Sequence, residues 1–252
     1  PQYRLLPPYT VRRFLRPKVR LRGGKRSRVA AENLIVVDPT PGATVQALTE
    51  KHDIEVCEAI RDRVGNDIVL MLDQACVYNY EEALYVGREI EKLNFFWFES
   101  AMPENKIEPY IRLTENVNVP ICAPEGVANL PYSRTEWILR KACDMGRTEV
   151  NFNGITGCKK TVHLYESFGM RATIHGGGWG NLHIYASTDM DTIEYFERGL
   201  FAPGHDEDYE IPPPYMKTIC DPFDGEGNVI ISQKPGLGFE INWDYIDDNR
   251  LS

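Results

Sequence analysis

Residues 67–73 read Asp-Ile-Val-Leu-Met-Leu-Asp, residues 95–99 read Phe-Phe-Trp-Phe-Glu, and residues 119–125 read Val-Pro-Ile-Cys-Ala-Pro-Glu. Each stretch is a short apolar run that closes on an acid, and the three acids, Asp73, Glu99 and Glu125, are spaced 26 residues apart. A continuous apolar run of this length is typical of a strand buried on both faces. Because the intervening residues have helical character, the repeat predicts strand–helix units around a parallel sheet.

The placement of the three acids predicts where the function lies. In a barrel of strand–helix units, the C-terminal ends of the strands open onto one face, where catalytic side chains converge. Carboxylates on neighbouring strand ends would form an oxygen-rich pocket suited to a hard divalent cation such as Mg²⁺. Any one acid could instead cap the helix that follows its strand. The same placement in three successive units favours the metal site.

Composition sets the broad class of protein. At 252 residues and 42% hydrophobic content, the chain fits one large α/β barrel domain or two small domains. No apolar stretch is long enough to cross a bilayer, and no signal peptide pattern opens the chain, so a cytoplasmic protein is expected. The six cysteines are scattered without a Cys-x-x-Cys pair, and several lie in apolar runs. This usage predicts buried thiols rather than disulfides or a zinc site.

Charge is distributed unevenly along the chain. Residues 1–31 hold ten Lys and Arg and no acid, although the net charge of the whole chain is −9. Such a basic arm could contact a nucleic acid or an acidic partner. Few aromatic residues stand between the basic residues of the arm, and no nucleic-acid motif is present. We therefore expect the arm to lie on its own acidic barrel or on a neighbouring subunit.

Periodicity and turn residues predict the remaining elements. Helices are expected over residues 44–64, 80–93, 107–116, 156–168 and 182–186, and over 137–143 in a helix capped by Ser133. Further strands are expected over residues 34–37, 149–152, 171–174 and 193–196, with at most one before them, around 18–22. The chain divides into a basic arm (1–31) that could hold the first barrel strand, a barrel (32–198) and an irregular tail (199–252) with a hairpin at 228–232.

Several motifs stand in a fixed order between residues 52 and 246. They are Leu70-Met71-Leu72-Asp73, Trp97-Phe98-Glu99, Pro120-Ile121 through Pro124-Glu125, Asn153-Gly154-Ile155-Thr156-Gly157, Ile174-His175-Gly176-Gly177 and a terminal Pro-Gly-Leu-Gly-Phe-Glu-Ile. In this order and spacing the chain resembles the enolase superfamily, in the mandelate racemase / muconate lactonizing enzyme branch. The resemblance implies a TIM-type (β/α)7–8 barrel that holds Mg²⁺ on Asp73, Glu99 and Glu125.

The resemblance also implies a type of chemistry. In such enzymes the metal binds the carboxylate of a small substrate and stabilises the enediolate that forms when the α-proton is removed. His175, at the end of a strand and ahead of glycines, is the expected base, since a neutral imidazole suits proton abstraction near pH 7. In relatives an acid on the preceding strand orients this histidine. That acid is Glu149 if one residue is deleted from the alignment, and Thr148 occupies the position if none is.

The chain departs from the family pattern in three places. The lysine pair expected on the second strand is absent from Asn33 to Asp38, which leaves Asp38 as a candidate replacement for a second base. Ser100 and Ala101 stand where a Glu-Pro pair normally follows the metal-binding Glu99. No segment of these 252 residues matches the capping domain that normally precedes the barrel. Without a cover the site would stay wet and electrostatic catalysis would weaken.

These observations lead to one principal hypothesis and three alternatives. We expect an Mg²⁺-dependent lyase of the acid-sugar dehydratase kind, because elimination can use one acid/base for both proton transfers. A racemase or epimerase of the same branch is an alternative isomerase function, although it needs a second base. The second alternative is a partner-dependent or non-catalytic barrel subunit, in a homo-oligomer or in a hetero-oligomer with a chain that supplies the cap. A nucleic-acid binder is disfavoured, and no membrane association is expected.

Overall fold

The computed structural model describes residues 9–15, 35–39, 50–126, 131–201, 211–222 and 229–251. In these ranges eight strands form a closed barrel in chain order. The strands are β1 (Tyr9–Leu15), β2 (Ile35–Pro39), β3 (Leu70–Asp73), β4 (Phe95–Glu99), β5 (Ile121–Cys122), β6 (Met145–Thr148), β7 (Arg171–Ile174) and β8 (Phe196–Phe201). The helices are α1 (Glu50–Val64), α2 (Tyr80–Lys92), α3 (Glu108–Thr114), α4 (Pro131–Leu139), α5 (Val150–Ser167), α6 (Trp179–Ala186) and α7 (Trp243–Asp248).

The sheet is parallel from β2 to β8, and β1 closes it. Each neighbouring pair from β2–β3 to β7–β8 is parallel. Strand β1 runs antiparallel to both β2 and β8. The predicted parallel α/β barrel is therefore confirmed. Strand β1 lies inside the basic arm of residues 1–31, which was predicted to hold at most one barrel strand, but it lies earlier than the suggested residues 18–22, which fall outside the described residues.

Helix α2 shows how local sequence determines an element. Asn79 caps its N-terminus: the Asn79 side chain accepts from the N–H of Glu82 at 3.0 Å, and Glu82 accepts in return from the N–H of Asn79 at 2.9 Å. Its buried residues Ala83, Val86 and Ile90 recur at helical spacing and join the core that covers the sheet. The helix predicted over residues 80–93 is confirmed.

The strands bury two different faces. Outward-facing Leu70, Leu72, Phe98 and Ile121 pack into a core with apolar residues of α1, α2 and α3. The alternate residues form a separate cluster inside the barrel, which we call the interior layer: Met71, Trp97, Cys122, Met145 and Tyr195. Since side chains two residues apart on a strand share a face, whatever follows an interior-layer residue by two positions also points inward, one layer closer to the C-terminal ends of the strands.

The sixth strand was predicted wrongly. The predicted strand over residues 149–152 is the start of helix α5, and the true β6 is Met145–Thr148. Val150 and Phe152 suggest a buried strand by their type, yet Phe152 is exposed. The true strand is buried although it contains glycine and arginine. A Cβ on Gly146 would lie 2.1 Å from the ring of Tyr165, so close packing against α5 explains the glycine.

Three smaller predictions also need correction. Helix α4 begins at Pro131, so Ser133 lies inside it rather than at its N-cap. The last strand is Phe196–Phe201 and not residues 193–196, because the N–H of Ile193 still closes a turn by donating to the carbonyl of Asp189 at 3.0 Å. Helix α5 begins at Val150, but a non-helical residue, Gly154 at φ 64°, separates its first turn from the part that corresponds to the predicted helix over residues 156–168.

The described part of the C-terminal segment contacts the barrel. Val229 is buried in a cluster with residues of β7, α5 and α6. The ring of Phe239 lies 4.6 Å from that of Trp179, at the start of α6. Helix α7 forms in the segment predicted to be irregular. Cys57, Cys122, Cys143 and Cys158 are buried thiols, as predicted. None of the helices in the described ranges combines the length and apolar character needed to traverse a bilayer.

Candidate active site

The three acids identified in the sequence meet at the C-terminal end of the strands. Asp73 ends β3 and is paired in register with Glu99, which ends β4. Both residues are buried. Glu125 follows β5 and keeps 21% of its side chain exposed. The acids thus lie at the same edge of the sheet on three neighbouring strands.

An arginine lies among these acids, and sequence patterns alone do not point to it. Arg147, on β6, is fully buried, and its Nε atom lies 2.6 Å from Oε1 of Glu99 and 3.2 Å from Oε2 of Glu125. Its terminal nitrogen donates to Glu197 on β8 at 2.7 Å. Burial opposes the charged form, but the three glutamates outweigh it and raise the pKa of Arg147 well above its ordinary value. The guanidinium therefore stays charged inside the barrel.

Glu99 is the most enclosed of the acids. Burial raises its pKa well above the ordinary value, and the nearby carboxylates add to this effect while Arg147 opposes it. The indole N–H of Trp97 donates to Oε2 of Glu99 at 3.2 Å. Oε1 faces Arg147 at 2.6 Å but accepts no well-directed hydrogen bond. A cation is therefore the natural partner for this oxygen.

The donor set fits Mg²⁺ in its chemistry, although its present spacing does not form a metal cage. Asp73, Glu99 and Glu125 supply hard carboxylate oxygens, and Glu99 Oε1 is buried beside Arg147 without a well-directed hydrogen bond. Among the described residues, no group of three or more His, Cys, Asp or Glu side chains is placed to hold a metal ion. Glu99 and Glu125 instead share the Nε atom of Arg147, at 2.6 and 3.2 Å.

The predicted base and its predicted partner come together at the next strands. His175 follows β7, and its backbone N–H donates to the carbonyl of Thr148 at 2.9 Å. Nδ1 of His175 lies 2.8 Å from Oε2 of Glu149, the N-cap residue of α5. Nε2 lies 3.2 Å from Oε1 of Glu125. The histidine thus connects Glu149, which follows β6, with Glu125, which follows β5.

A buried asparagine links the two backbone segments that carry this pair, and no sequence motif marks it. The side-chain nitrogen of Asn181 donates to the carbonyls of His175, Gly176 and Gly177 at 2.9 to 3.2 Å. Its oxygen accepts from the N–H of Val150, next to Glu149, at 2.9 Å. One side chain therefore holds the loop of the histidine against the start of α5.

A cavity of about 230 Å³ opens above these groups. It is lined by side chains and backbone from the ends of β3, β4, β5 and β7, namely Asp73, Ala75, Cys76, Ser100, Glu125, Gly126 and His175. Burial raises the pKa of the Cys76 thiol to about 12, and the charges of Glu104, Glu125 and Asp73 contribute. The volume suits a small molecule, and the lining offers carboxylates beside one imidazole.

The family is settled by sequence comparison. The model of the family described as "Enolase C-terminal domain-like" matches residues 20–245. The chain belongs to this family. The match confirms the resemblance to the enolase superfamily. The fold is shared with the crystal structure of D-glucarate dehydratase from Agrobacterium tumefaciens complexed with magnesium, at a TM-score of 0.81 and 39% identity, over 87% of this chain and 56% of that one.

Curated members of the enolase group include both lyases and an isomerase. The chain is 32% identical over 206 residues to arabinonate dehydratase of Saccharolobus solfataricus, covering 78% of this chain and 51% of the relative. It is 24% identical over 199 residues to N-succinyl-L-Arg/Lys racemase of Bacillus cereus, covering 79% of this chain and 52% of the relative. The chain thus spans about half the length of the curated relatives it matches.

The departure from the enolase-family pattern after Glu99 has a visible consequence. Ser100 adopts φ 44°, and its hydroxyl donates to Oε1 of Glu104 at 3.2 Å. Glu104 is buried and accepts from the backbone N–H groups of Glu125 and Gly126. Burial raises the pKa of Glu104 although these hydrogen bonds oppose the shift. Ser100 and Glu104 therefore hold the loop that carries Glu125, a role that residue type alone does not predict.

Proposed function

We propose that this enolase-family chain forms the barrel of an Mg²⁺-dependent sugar-acid dehydratase. The observation that carries the proposal is the His175–Glu149 pair, 2.8 Å apart, beside three strand-end acids around one cavity. Similarity to arabinonate dehydratase and to D-glucarate dehydratase supports a sugar-acid substrate. A small 2-hydroxycarboxylate matches both the volume and the lining of the cavity.

Asp73, Glu99 and Glu125 would hold the metal. When bound, Mg²⁺ supplies positive charge to a carboxylate whose neighbouring carbon is losing a proton. The protein's own contribution is to keep the acids at one edge of the sheet. Trp97 orients Glu99 through its indole N–H, and the buried carboxylate of Glu104 restrains the loop of Glu125.

His175 would move the protons. In a neutral imidazole with hydrogen on Nδ1, that N–H would donate to Glu149, and Nε2, which faces Oε1 of Glu125 at 3.2 Å, would be the nitrogen that accepts a proton. The carboxylate of Glu149 stabilises the imidazolium that forms. In a dehydration, the proton taken from the α-carbon by Nε2 can be returned to the departing β-hydroxyl, so that water leaves and the imidazole is regenerated.

Dehydration is favoured over racemisation by the basic groups available. Among the described residues that line the cavity, His175 is the one basic side chain. Racemisation needs a second proton carrier on the opposite face of the substrate. Asp38 of β2, whose backbone is paired with Thr10 of β1, is the candidate for that role. An elimination through one base requires no such group.

The cover of the cavity is part of the proposal. The described lining comes only from the ends of the barrel strands and the loops after them. Since a wet site weakens electrostatic catalysis, we infer that further chain covers it: the basic arm of residues 1–31, the segment of residues 199–252, or a second polypeptide in a homo- or hetero-oligomer. We also infer a cytoplasmic location. Native mass spectrometry of the purified protein would show whether a second chain is bound.

A substrate panel tests the reaction. Purified protein with MgCl₂ would be incubated with a set of aldonic and aldaric acids that includes arabinonate and glucarate, and 2-keto products would be quantified. We expect dehydration of at least one acid, lost in Glu99→Gln. If the acid is dehydrated equally well without Mg²⁺, or if Glu99→Gln keeps full activity, the metal assignment is wrong.

Solvent exchange tests the base separately from the product. In D₂O, the intact protein should exchange the α-proton of its substrate, and His175→Asn should lower the rate by at least about a hundredfold. His163→Asn is the matched control, because His163 is exposed on α5. Exchange at the parent rate in His175→Asn would remove His175 as the base.

A further inference from the structure

Arg147 occupies a position that resembles a cation site. The side chain is completely enclosed, and three glutamates from different parts of the barrel point their oxygens at it, at 2.6, 2.7 and 3.2 Å. Two of them, Glu99 and Glu125, are proposed metal ligands. The third, Glu197, also accepts from the N–H of Gly176 at 2.9 Å, which ties it to the loop that carries His175.

The same carboxylates cannot satisfy two cations equally well. A guanidinium and Mg²⁺ sharing Glu99 and Glu125 would lie within a few ångströms, and like charges at such distances repel strongly where water is excluded. The Nε atom of Arg147 already contacts both of these acids, at 2.6 and 3.2 Å. The structure therefore shows carboxylates arranged around an organic cation.

The anchoring of Arg147 allows it to release these acids. Its terminal nitrogen, not its Nε atom, binds Glu197 at 2.7 Å. The guanidinium can thus give up Glu99 and Glu125 while it keeps one carboxylate partner. A buried arginine that retains a partner avoids the large penalty of an unpaired charge.

We propose that Arg147 is an internal counter-cation that holds Glu99 and Glu125 in the metal-free barrel and competes with Mg²⁺ for them. The inference rests on the proposed function, because it assigns the metal to the same acids. It makes Arg147 a positioning residue that sets the affinity for the metal. Glu197 receives the guanidinium when Mg²⁺ enters.

Calorimetric titration with MgCl₂ tests the competition. In Arg147→Gln the competing charge is gone, so the Kd for Mg²⁺ should fall by at least about tenfold relative to the parent protein. Arg61→Gln is the matched control: Arg61 is also buried, but it donates to the backbone carbonyls of Leu93, Gly65, Ile68 and Asn94. This control should bind Mg²⁺ as the parent does.

A second variant predicts the opposite direction and remains informative if Arg147→Gln fails to fold. Glu197→Gln preserves shape but removes the carboxylate that receives the guanidinium, so Arg147 stays with Glu99 and Glu125. The Kd for Mg²⁺ should then rise severalfold. An unchanged or lower Kd in Glu197→Gln would overturn the proposal.

The outcomes separate this inference from the proposed function. If the parent protein binds Mg²⁺, loses binding in Glu99→Gln and shows the same or a higher Kd in Arg147→Gln, only the competition is wrong. If neither the parent nor Arg147→Gln binds Mg²⁺, the metal site and the competition both fail. Tighter binding in Arg147→Gln together with unchanged binding in Arg61→Gln supports the inference.

Discussion

Two adjacent layers inside the same barrel differ completely in chemistry. The interior layer is apolar and contains Met71, Trp97, Met145 and Tyr195. Two residues further along the same strands, on the same face, stand Asp73, Glu99, Arg147 and Glu197, which we call the charged layer. Members of both layers are almost fully buried. The interior layer is therefore buried by packing of apolar groups, whereas in the charged layer the guanidinium of Arg147 pairs with Glu99 and Glu197.

The comparison teaches that depth in this barrel does not decide polarity. Met71 and Met145 of the interior layer need only shape and volume. The charged layer needs each member to find a partner, since an isolated ionised group would be costly there. Trp97 connects the two layers: its ring belongs to the interior layer, and its indole N–H donates to Glu99 of the charged layer.

The largest effect is expected from a change in the charged layer. Arg147→Gln leaves Glu99 and Glu197 buried without the counter-charge that they share, which should lower the free energy of unfolding by about 3–5 kcal/mol. Urea unfolding in EDTA measures this value. A loss below about 1 kcal/mol would show that water or protonation already neutralises the layer.

The matched change in the interior layer should cost less and should not depend on cations. Met71→Ala removes buried volume from a fully enclosed side chain, with an expected loss of about 2–4 kcal/mol. The same urea experiment with and without MgCl₂ provides the check. If Mg²⁺ changes the loss caused by Met71→Ala, the two layers are not independent.

Substitution of Trp97, which connects the two layers, should lower the stability less than either of the preceding changes. Trp97→Phe keeps an aromatic ring but removes the donor to Glu99, with an expected loss of about 1–2 kcal/mol in the free energy of unfolding. It should also weaken Mg²⁺ binding, because Glu99 loses an orienting hydrogen bond. Thermal denaturation and calorimetry would report both effects. Lost stability with an unchanged Kd would confine Trp97 to packing.

The smallest effect concerns the reactivity of the thiol of Cys76, which lines the cavity. The pKa of Cys76 is raised to about 12, so its thiolate fraction should increase about tenfold per pH unit from pH 7 to pH 11. Alkylation by iodoacetamide, followed by peptide mass spectrometry, should therefore keep accelerating above pH 9. In the urea-unfolded chain the rate should level off near the ordinary thiol value of 9.0. A plateau near pH 9 in the folded protein would contradict the raised pKa.

Much of the β3–β5 half of the barrel was predictable from sequence, and the β6–β8 half was less so. Apolar runs that end at Asp73 and Glu99 mark strands by residue type, because those strands pack against helices on one face and the interior layer on the other. Strand β6 reads Met-Gly-Arg-Thr, which no hydrophobic pattern identifies as buried. Its glycine is required because the ring of Tyr165 leaves no room for a side chain. Its arginine is stabilised by ion pairs with three glutamates that are distant in the chain.

The family motifs extended the prediction to the acid/base pair but left one ambiguity. The choice between Thr148 and Glu149 depended on a single-residue gap, and sequence alone does not weigh that gap. In the structure Glu149 is the residue whose carboxylate lies 2.8 Å from His175. The supporting residues Asn181, Ser100 and Glu104 have no distinctive local pattern, because each acts on backbone groups that become neighbours only when strands and loops assemble.

The sequence by itself determined the barrel class, the three acids at strand ends and the histidine after β7, since these depend on local periodicity and on order along the chain. Only the tertiary structure decided that Arg147 lies between Glu99 and Glu125, that Glu149 partners His175, and that Glu197 closes the charged layer. The physical reason is the separation along the chain between the residues that interact. Apolar burial is dictated residue by residue, whereas the stability of a buried charge depends on partners that folding brings from 22 to 50 residues away.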